Sequence, residues 1–266
     1  MRYINNIAET VTQTTHKTFN TVFLCAENIE QEIYYMNLKT VIITGANGNL
    51  GSAVTKEFLD KGYRVVATVI TEAMKNDFPP NDKLEVQVVN LGSEEESNSF
   101  VQSVIEKYKT VDAALLLVGG FAAGDIASTK LDDIKKQISL NFDTAYNVAR
   151  PLYQHMRGTS NGKIVFVGAR PSLNAAQGKG LIAYALSKSL VFKLAEFLNE
   201  DAKGKNVTAT VVVPSTLDTP LNRKSMPDID PDIWVKPSTL AEILEFVVND
   251  KSSVLRETVL KVYNNA

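Results

Sequence analysis

Tyr184 and Lys188 lie four residues apart in the run Ala183-Tyr184-Ala185-Leu186-Ser187-Lys188. On a helix that spacing puts both side chains on one face. An ammonium close to a phenol favours the tyrosinate, so the pair predicts a tyrosine with a lowered pKa, suited to giving or taking a proton near neutrality. The spacing also arises wherever a helix carries a surface tyrosine and a solvated lysine, and alone it fixes no chemistry. A second signal gives it context. The segment Thr44-Gly45-Ala46-Asn47-Gly48-Asn49-Leu50-Gly51 follows an apolar, β-branched run and opens a stretch with apolar residues at Val54, Phe58 and Leu59. Strand, glycine turn and helix start, in that order, make a pyrophosphate cradle. Glycine lets the backbone turn tightly and approach a ligand, and the free N–H groups of a helix start attract anionic oxygens.

The elements that must hold these groups follow from hydrophobic periodicity. Strands are predicted over 40–44, 64–70, 84–90, 113–118, 163–167 and 207–213, with a seventh over 258–263. Several are nearly continuous apolar runs, the pattern of strands covered on both faces. Helices are predicted between them over 52–61, 93–108, 130–156, 185–202 and 239–249. Alternating β and α segments imply an α/β fold: a single doubly wound Rossmann domain, with a mostly parallel sheet of six or seven strands and helices on both faces. The domain is expected over 37–266. Residues 1–36, rich in Thr, Asn and Gln, read as an N-terminal extension, either loosely attached or preceding a true start at Met36.

Composition narrows the function classes. The chain has 266 residues, 44% hydrophobic and 22% charged, with a net charge of -2. A nucleic-acid partner would call for a basic stripe, which is absent from this balance. One cysteine, Cys25, cannot close an internal disulfide, which fits a reducing, cytoplasmic setting. The two histidines, His16 and His155, lack neighbours suited to a metal site or a Ser-His-Asp triad, so no metal is expected. No apolar run approaches the length needed to cross a bilayer, so no membrane partner is expected.

Four features in order, the glycine loop, Val118-Gly119-Gly120, Asn141 and the Tyr184/Lys188 pair, resemble the short-chain dehydrogenase/reductase superfamily over about residues 38–264. Three segments are similar to the dihydropteridine reductase branch: Leu217 to Pro227, Val118 to Gly124, and Gly168-Ala169-Arg170. The resemblance implies hydride transfer with NAD or NADP to a small carbonyl or imine-type substrate, a quinonoid dihydropteridine among the candidates. Tyr184 would donate the proton, Lys188 would hold the nicotinamide ribose and tune the phenol, and Asn141 would support a relay water. Cofactor contacts would come from Gly45, Asn47, Gly48, Asn49, Leu50 and Gly51. Gly119 and Gly120 would line the adenosine side, and Pro214, Thr216 and Thr219 the nicotinamide end. A homodimer or homotetramer is implied as well, through the helix bearing Leu190, Val191, Leu194, Phe197 and Leu198.

The chain departs from that pattern in two places. Where most of the superfamily has a serine, the strand end reads Val167-Gly168-Ala169, with Ser172 the nearest hydroxyl. Losing such a preorganised donor commonly costs about 3 kcal/mol of transition-state stabilisation in carbonyl chemistry. An electron-poor ring would need it less. The middle glycine of the cofactor loop is also displaced, leaving Asn49 in its place and glycine at Gly48.

The end of the second strand, Val69-Ile70-Thr71-Glu72, offers no acid at its tip and no arginine, only Glu72 slightly late and Lys75, so NAD and NADP both stay open. The proline-rich segment from Pro214 to Trp234 reads in two ways. It is a substrate cover, with Met226 and Trp234 stacking on a ring and Arg223 or Lys224 meeting phosphate, or it is a stiff loop with a hydrophobic anchor. Two other functions compete with the reductase: a catalytically idle nucleotide-binding regulator, and an epimerase or dehydratase that keeps its cofactor.

Overall fold

Strand Thr40–Thr44 (β1) buries all five of its residues, because both faces of the sheet are covered. In the computed structural model, which describes residues 38–256 and 258–265, β1 is flanked on both sides by parallel neighbours. The other strands are Arg64–Val69 (β2), Leu84–Val88 (β3), Ala113–Leu116 (β4), Asn161–Val167 (β5), Asn206–Pro214 (β6) and Val259–Val262 (β7). They form one seven-stranded parallel sheet in the order β3-β2-β1-β4-β5-β6-β7. The expected doubly wound Rossmann architecture is what forms. The expected extension over 1–36, with His16 and Cys25, lies outside the described residues.

Side chains alternate between the two faces, as a strand's period of two requires. Ile42, Val66, Ala114, Leu116, Ile164, Phe166 and Val211 enter one core. Helices Glu94–Tyr108 (α2), Thr144–Thr159 (α4) and Ile182–Asp201 (α6, preceded by the short α5 over Ala175–Gly178) close it with Phe100, Val104, Leu152, Met156 and Phe192. Val41, Ile43, Val65, Ala67, Leu115 and Val165 point the other way. Helices Asn49–Asp60 (α1) and Pro237–Val248 (α8) cover them with Val54, Phe58, Leu240 and Leu244. Each such fully buried aliphatic or aromatic side chain contributes about 1.5–3 kcal/mol relative to exposure.

Three predicted elements differ in extent. The fourth strand stops at Leu116 because the N–H of Leu117 is taken by the Thr44 hydroxyl at 2.9 Å, which turns the chain out of the ladder. The predicted helix over 130–156 is Leu131–Ile138 (α3), then a wider π turn over Ser139–Asp143, then α4. Such a turn inserts a residue into the helical ladder and often marks a functional site. Asn141 sits in it. The helix predicted from 185 starts instead at Ile182, which brings Tyr184 inside α6.

Candidate active site

The chain leaves β1 for β2 and β3, then returns to the opposite side of β1 as β4. At such a reversal the helices diverge, and a crevice opens beyond the carboxyl ends of β1 and β4. Both glycine turns lie there. Gly45 ends β1 with φ +63°, and a Cβ on it would lie 3.0 Å from Val118 Cγ2, beyond β4. A Cβ on Gly51 would fall 2.1 Å from the Gly45 carbonyl oxygen, so the first turn of α1 lies directly on the β1 turn. Helix α1 starts with no capping side chain and no acid in its first turn. Its leading N–H groups and positive dipole end are thus available to an anion.

The displaced glycine has a plain explanation. Gly48, the N-cap of α1, has φ -69° and ψ 168°, a conformation open to any residue. Asn49 begins the helix on an exposed rim. The closest approaches belong to Gly45 and Gly51, while a Cβ on Gly48 would lie 3.3 Å from the Gly45 carbonyl oxygen. Of the other expected contacts in this loop, Leu50 packs against the core beneath α1, and Asn47 donates its amide to Asp77 at 3.2 Å.

At the other end of the crevice, Lys188 is only 6% exposed. Its ammonium donates to the Val167 carbonyl at the end of β5, 2.9 Å away. Gly119 abuts both Lys188 and Asn141, since a Cβ there would lie 3.0 Å from Nζ and 2.6 Å from Asn141 Oδ1. Asn141, 1% exposed, accepts the Gly120 N–H at 2.9 Å and donates back to the Gly120 carbonyl at 3.0 Å. Its amide also lies within reach of Gln137 Oε1 (2.9 Å) and Ser187 Oγ (3.1 Å). The asparagine therefore locks the π turn onto the glycines after β4. Ser187 in turn donates to the Tyr184 carbonyl at 2.8 Å, tying the same network to α6.

Tyr184 is partly buried, and no described residue hydrogen-bonds its hydroxyl. Phe121 meets its ring edge-on, with centroids 5.2 Å apart at 65°. Burial pushes the Tyr184 phenol up to about 12 and the Lys188 ammonium down to about 8. This corrects the expected lowered tyrosine pKa. Removal from water disfavours both charged forms, and the ammonium is directed at Val167 rather than at the phenol.

The structure also places the other groups singled out in the sequence. Ser172, the possible substitute hydroxyl near Ala169, donates to the Ala185 carbonyl at 2.9 Å. Trp234 is 3% exposed, so it anchors its loop in the interior and offers no stacking face. Arg223 is held by Asp218 in a two-pronged ion pair at 2.6 and 2.9 Å, instead of waiting for phosphate. Thr219 uses its oxygen to cap helix Pro220–Ser225 (α7) through the Asn222 N–H, while Pro214 ends β6 and the Thr216 carbonyl accepts the Val235 N–H.

A family model described as short chain dehydrogenase matches residues 39–230. The chain belongs to this family. A dihydropteridine reductase of Dictyostelium discoideum is 29% identical over 231 residues, spanning 84% of this chain and 94% of the relative. A 3-oxoacyl-[acyl-carrier-protein] reductase of Thermotoga maritima is 24% identical over 237 residues, spanning 84% and 96%. Among solved structures, ElxO with NADP bound superposes with a TM-score of 0.79 at 21% identity, covering 85% of this chain and 97% of that one. An oxidoreductase of the same family from Burkholderia thailandensis gives 0.76 at 22% identity, over 86% and 92%.

This short-chain dehydrogenase is accordingly an NAD(P)-dependent oxidoreductase. Its crevice fits the dinucleotide: the turn at Gly45 and Gly51 leaves backbone on backbone, and α1 starts uncapped. At the end of β2, Glu72 and Lys75 pair with each other at 2.9 Å, which leaves NAD and NADP equally admissible there. Sequence reasoning missed Gln137, Ser187, Thr44 and Phe121. The first three are ordinary polar residues whose roles depend on contacts across the fold. Phe121 follows the second glycine turn immediately, and that adjacency was the available signal.

Proposed function

We propose that this short-chain dehydrogenase is an NAD(P)H-dependent reductase in which Tyr184 donates the proton, Lys188 supplies the cation beside it and Asn141 positions both. The observation that carries the reading is the unpartnered Tyr184 hydroxyl, one helical turn from a buried amine at the ends of β4 and β5. The glycine turn and the start of α1 would hold the pyrophosphate, and the nicotinamide, when bound, supplies the hydride. With its pKa near 12, Tyr184 stays protonated throughout the physiological range and is a loaded donor. After proton transfer the tyrosinate needs a compensating charge, and the Lys188 ammonium is the nearest cation on that face of α6. Asn141 holds Gly120 and the π turn so that Gly119 stays against Lys188.

The substrate favoured by this reading is a quinonoid dihydropteridine, with other small carbonyl or imine compounds as the wider class. Similarity to the Dictyostelium dihydropteridine reductase supports it. So does the apolar Ala169, where a carbonyl reductase would carry a hydroxyl. An oligomer built on the outward side of α6, where Leu186, Leu190 and Phe197 are exposed, and a cytoplasmic setting belong to the same proposal. Purified protein assayed for oxidation of NADH and NADPH with quinonoid dihydropterin and a carbonyl panel tests it. Tight cofactor binding without turnover of any acceptor would overturn it.

A further inference from the structure

Phe121 is 67% exposed, yet it is not on a loose loop. Three residues later, Gly124 is joined to the turn before α6 by two backbone hydrogen bonds. Its N–H donates to the Gly180 carbonyl, and its carbonyl accepts the Ile182 N–H, both at 2.9 Å. Gly124 has φ +157°, and a Cβ there would lie 2.7 Å from Thr129 Oγ1, so the clamp requires glycine. On the other side, Gly120 is fixed by Asn141. The segment bearing Phe121 is thus pinned at both ends, once to the asparagine and once to the helix that carries Tyr184. Its ring is held edge-on to the phenol with most of its surface open.

An exposed aromatic ring costs hydration free energy, and one held rigid beside an unpartnered phenol is placed to stack on a ligand. The polar inventory points the same way. Ala169 carries no hydroxyl and Ser172 donates its own to Ala185, so neither serves as a second donor to a substrate oxygen. A reaction assisted by one phenol suits an acceptor already activated by conjugation. We propose that Phe121 is the binding platform for a planar, conjugated ring, and that it selects quinonoid and heteroaromatic acceptors over aliphatic carbonyls. This rests on the reductase reading above and adds the residue that would choose among its candidate substrates.

The test compares wild type, Phe121→Ala, Phe121→Leu and Phe121→Trp in two measurements. Steady-state kinetics use quinonoid dihydropterin and a planar ortho-quinone against an aliphatic α-diketone. Calorimetry measures binding of a fully aromatic pterin to the enzyme saturated with oxidised cofactor. Phe121→Ala and Phe121→Leu are expected to raise KM for both planar acceptors about three- to tenfold and to weaken pterin binding by the same factor. The aliphatic acceptor should respond several-fold less, and Phe121→Trp should restore planar-ring affinity. Because Phe121 is exposed, an unchanged melting temperature will show that these variants fold. Equal changes in KM for planar and aliphatic acceptors, or none for either, would overturn the platform while leaving the reductase intact. If no acceptor turns over but the pterin still binds and that binding depends on Phe121, the reductase reading fails and the platform stands.

Discussion

Replacing Lys188 by methionine should make this protein more stable and inactive at once. The amine is nearly removed from water, and burial alone lowers its pKa from 10.5 to about 8. That fall corresponds to about 3 kcal/mol of differential cost in keeping the ammonium inside the fold at neutral pH. Methionine matches the length of the stem and carries no charge. It loses the hydrogen bond to the Val167 carbonyl, worth about 1 to 1.5 kcal/mol. The net gain expected at pH 7 is about 1.5 kcal/mol, or a melting temperature raised by about 3 to 6 °C for a domain of this size.

The gain must depend on pH with a definite sign. Because the folded pKa lies below the unfolded one, the unfolded chain binds more protons between about pH 8 and 10.5, so wild-type stability rises across that window. Below pH 8 the penalty is fully present, and above 10.5 it is gone. Urea unfolding of both proteins without cofactor, at pH 7 and pH 10, should show the methionine variant ahead at the first and level or behind at the second. A stability difference that stays flat with pH, or a wild type more stable at pH 7, would refute a strained buried cation. Stability given up for a charged group at the proposed reaction centre would be the usual trade between activity and stability.

Tyr184→Phe should lower turnover by about 100-fold or more, with stability and cofactor affinity little altered, which stopped-flow reduction and cofactor titration would check. Binding of NADH should weaken as pH rises through about 8, where the Lys188 charge is lost, while Lys188→Arg should bind independently of pH over 7 to 9. An unchanged wild-type dissociation constant across that range would separate Lys188 from the cofactor. Gly51→Ala forces a methyl group within 2.1 Å of the Gly45 carbonyl, so it should abolish measurable cofactor binding and cost about 1–3 kcal/mol of stability. Asn49→Gly, on the exposed rim, should change affinity less than twofold. Asn141→Ala leaves the half-buried Gly120 amide and carbonyl without their side-chain partner, at a cost of about 1 kcal/mol by thermal unfolding, and should lower kcat more than it raises KM.

The amino-acid order alone carried the architecture and the positions on which the proposed chemistry rests. Every predicted strand centre lies in an observed strand because runs such as Thr40–Thr44 and Asn206–Pro214 must be covered on both faces, and a parallel sheet between helices is the arrangement that does so. The Tyr184/Lys188 spacing and the glycine turn were legible for the same reason: helical period and glycine's steric freedom act locally.

What required the folded molecule was every property that depends on neighbours distant in sequence. Trp234 and Arg223 look alike available in the chain, but one is enclosed by the core and the other is paired with Asp218. The pKa of Tyr184 moved opposite to expectation because burial, a tertiary quantity, outweighs a lysine one turn away that is turned toward Val167. The π turn at Asn141 and the clamp that steadies Phe121 likewise arise only when the ends of β4 meet α6, since hydrogen-bond partners 21 to 58 residues apart leave no periodic trace in a sequence.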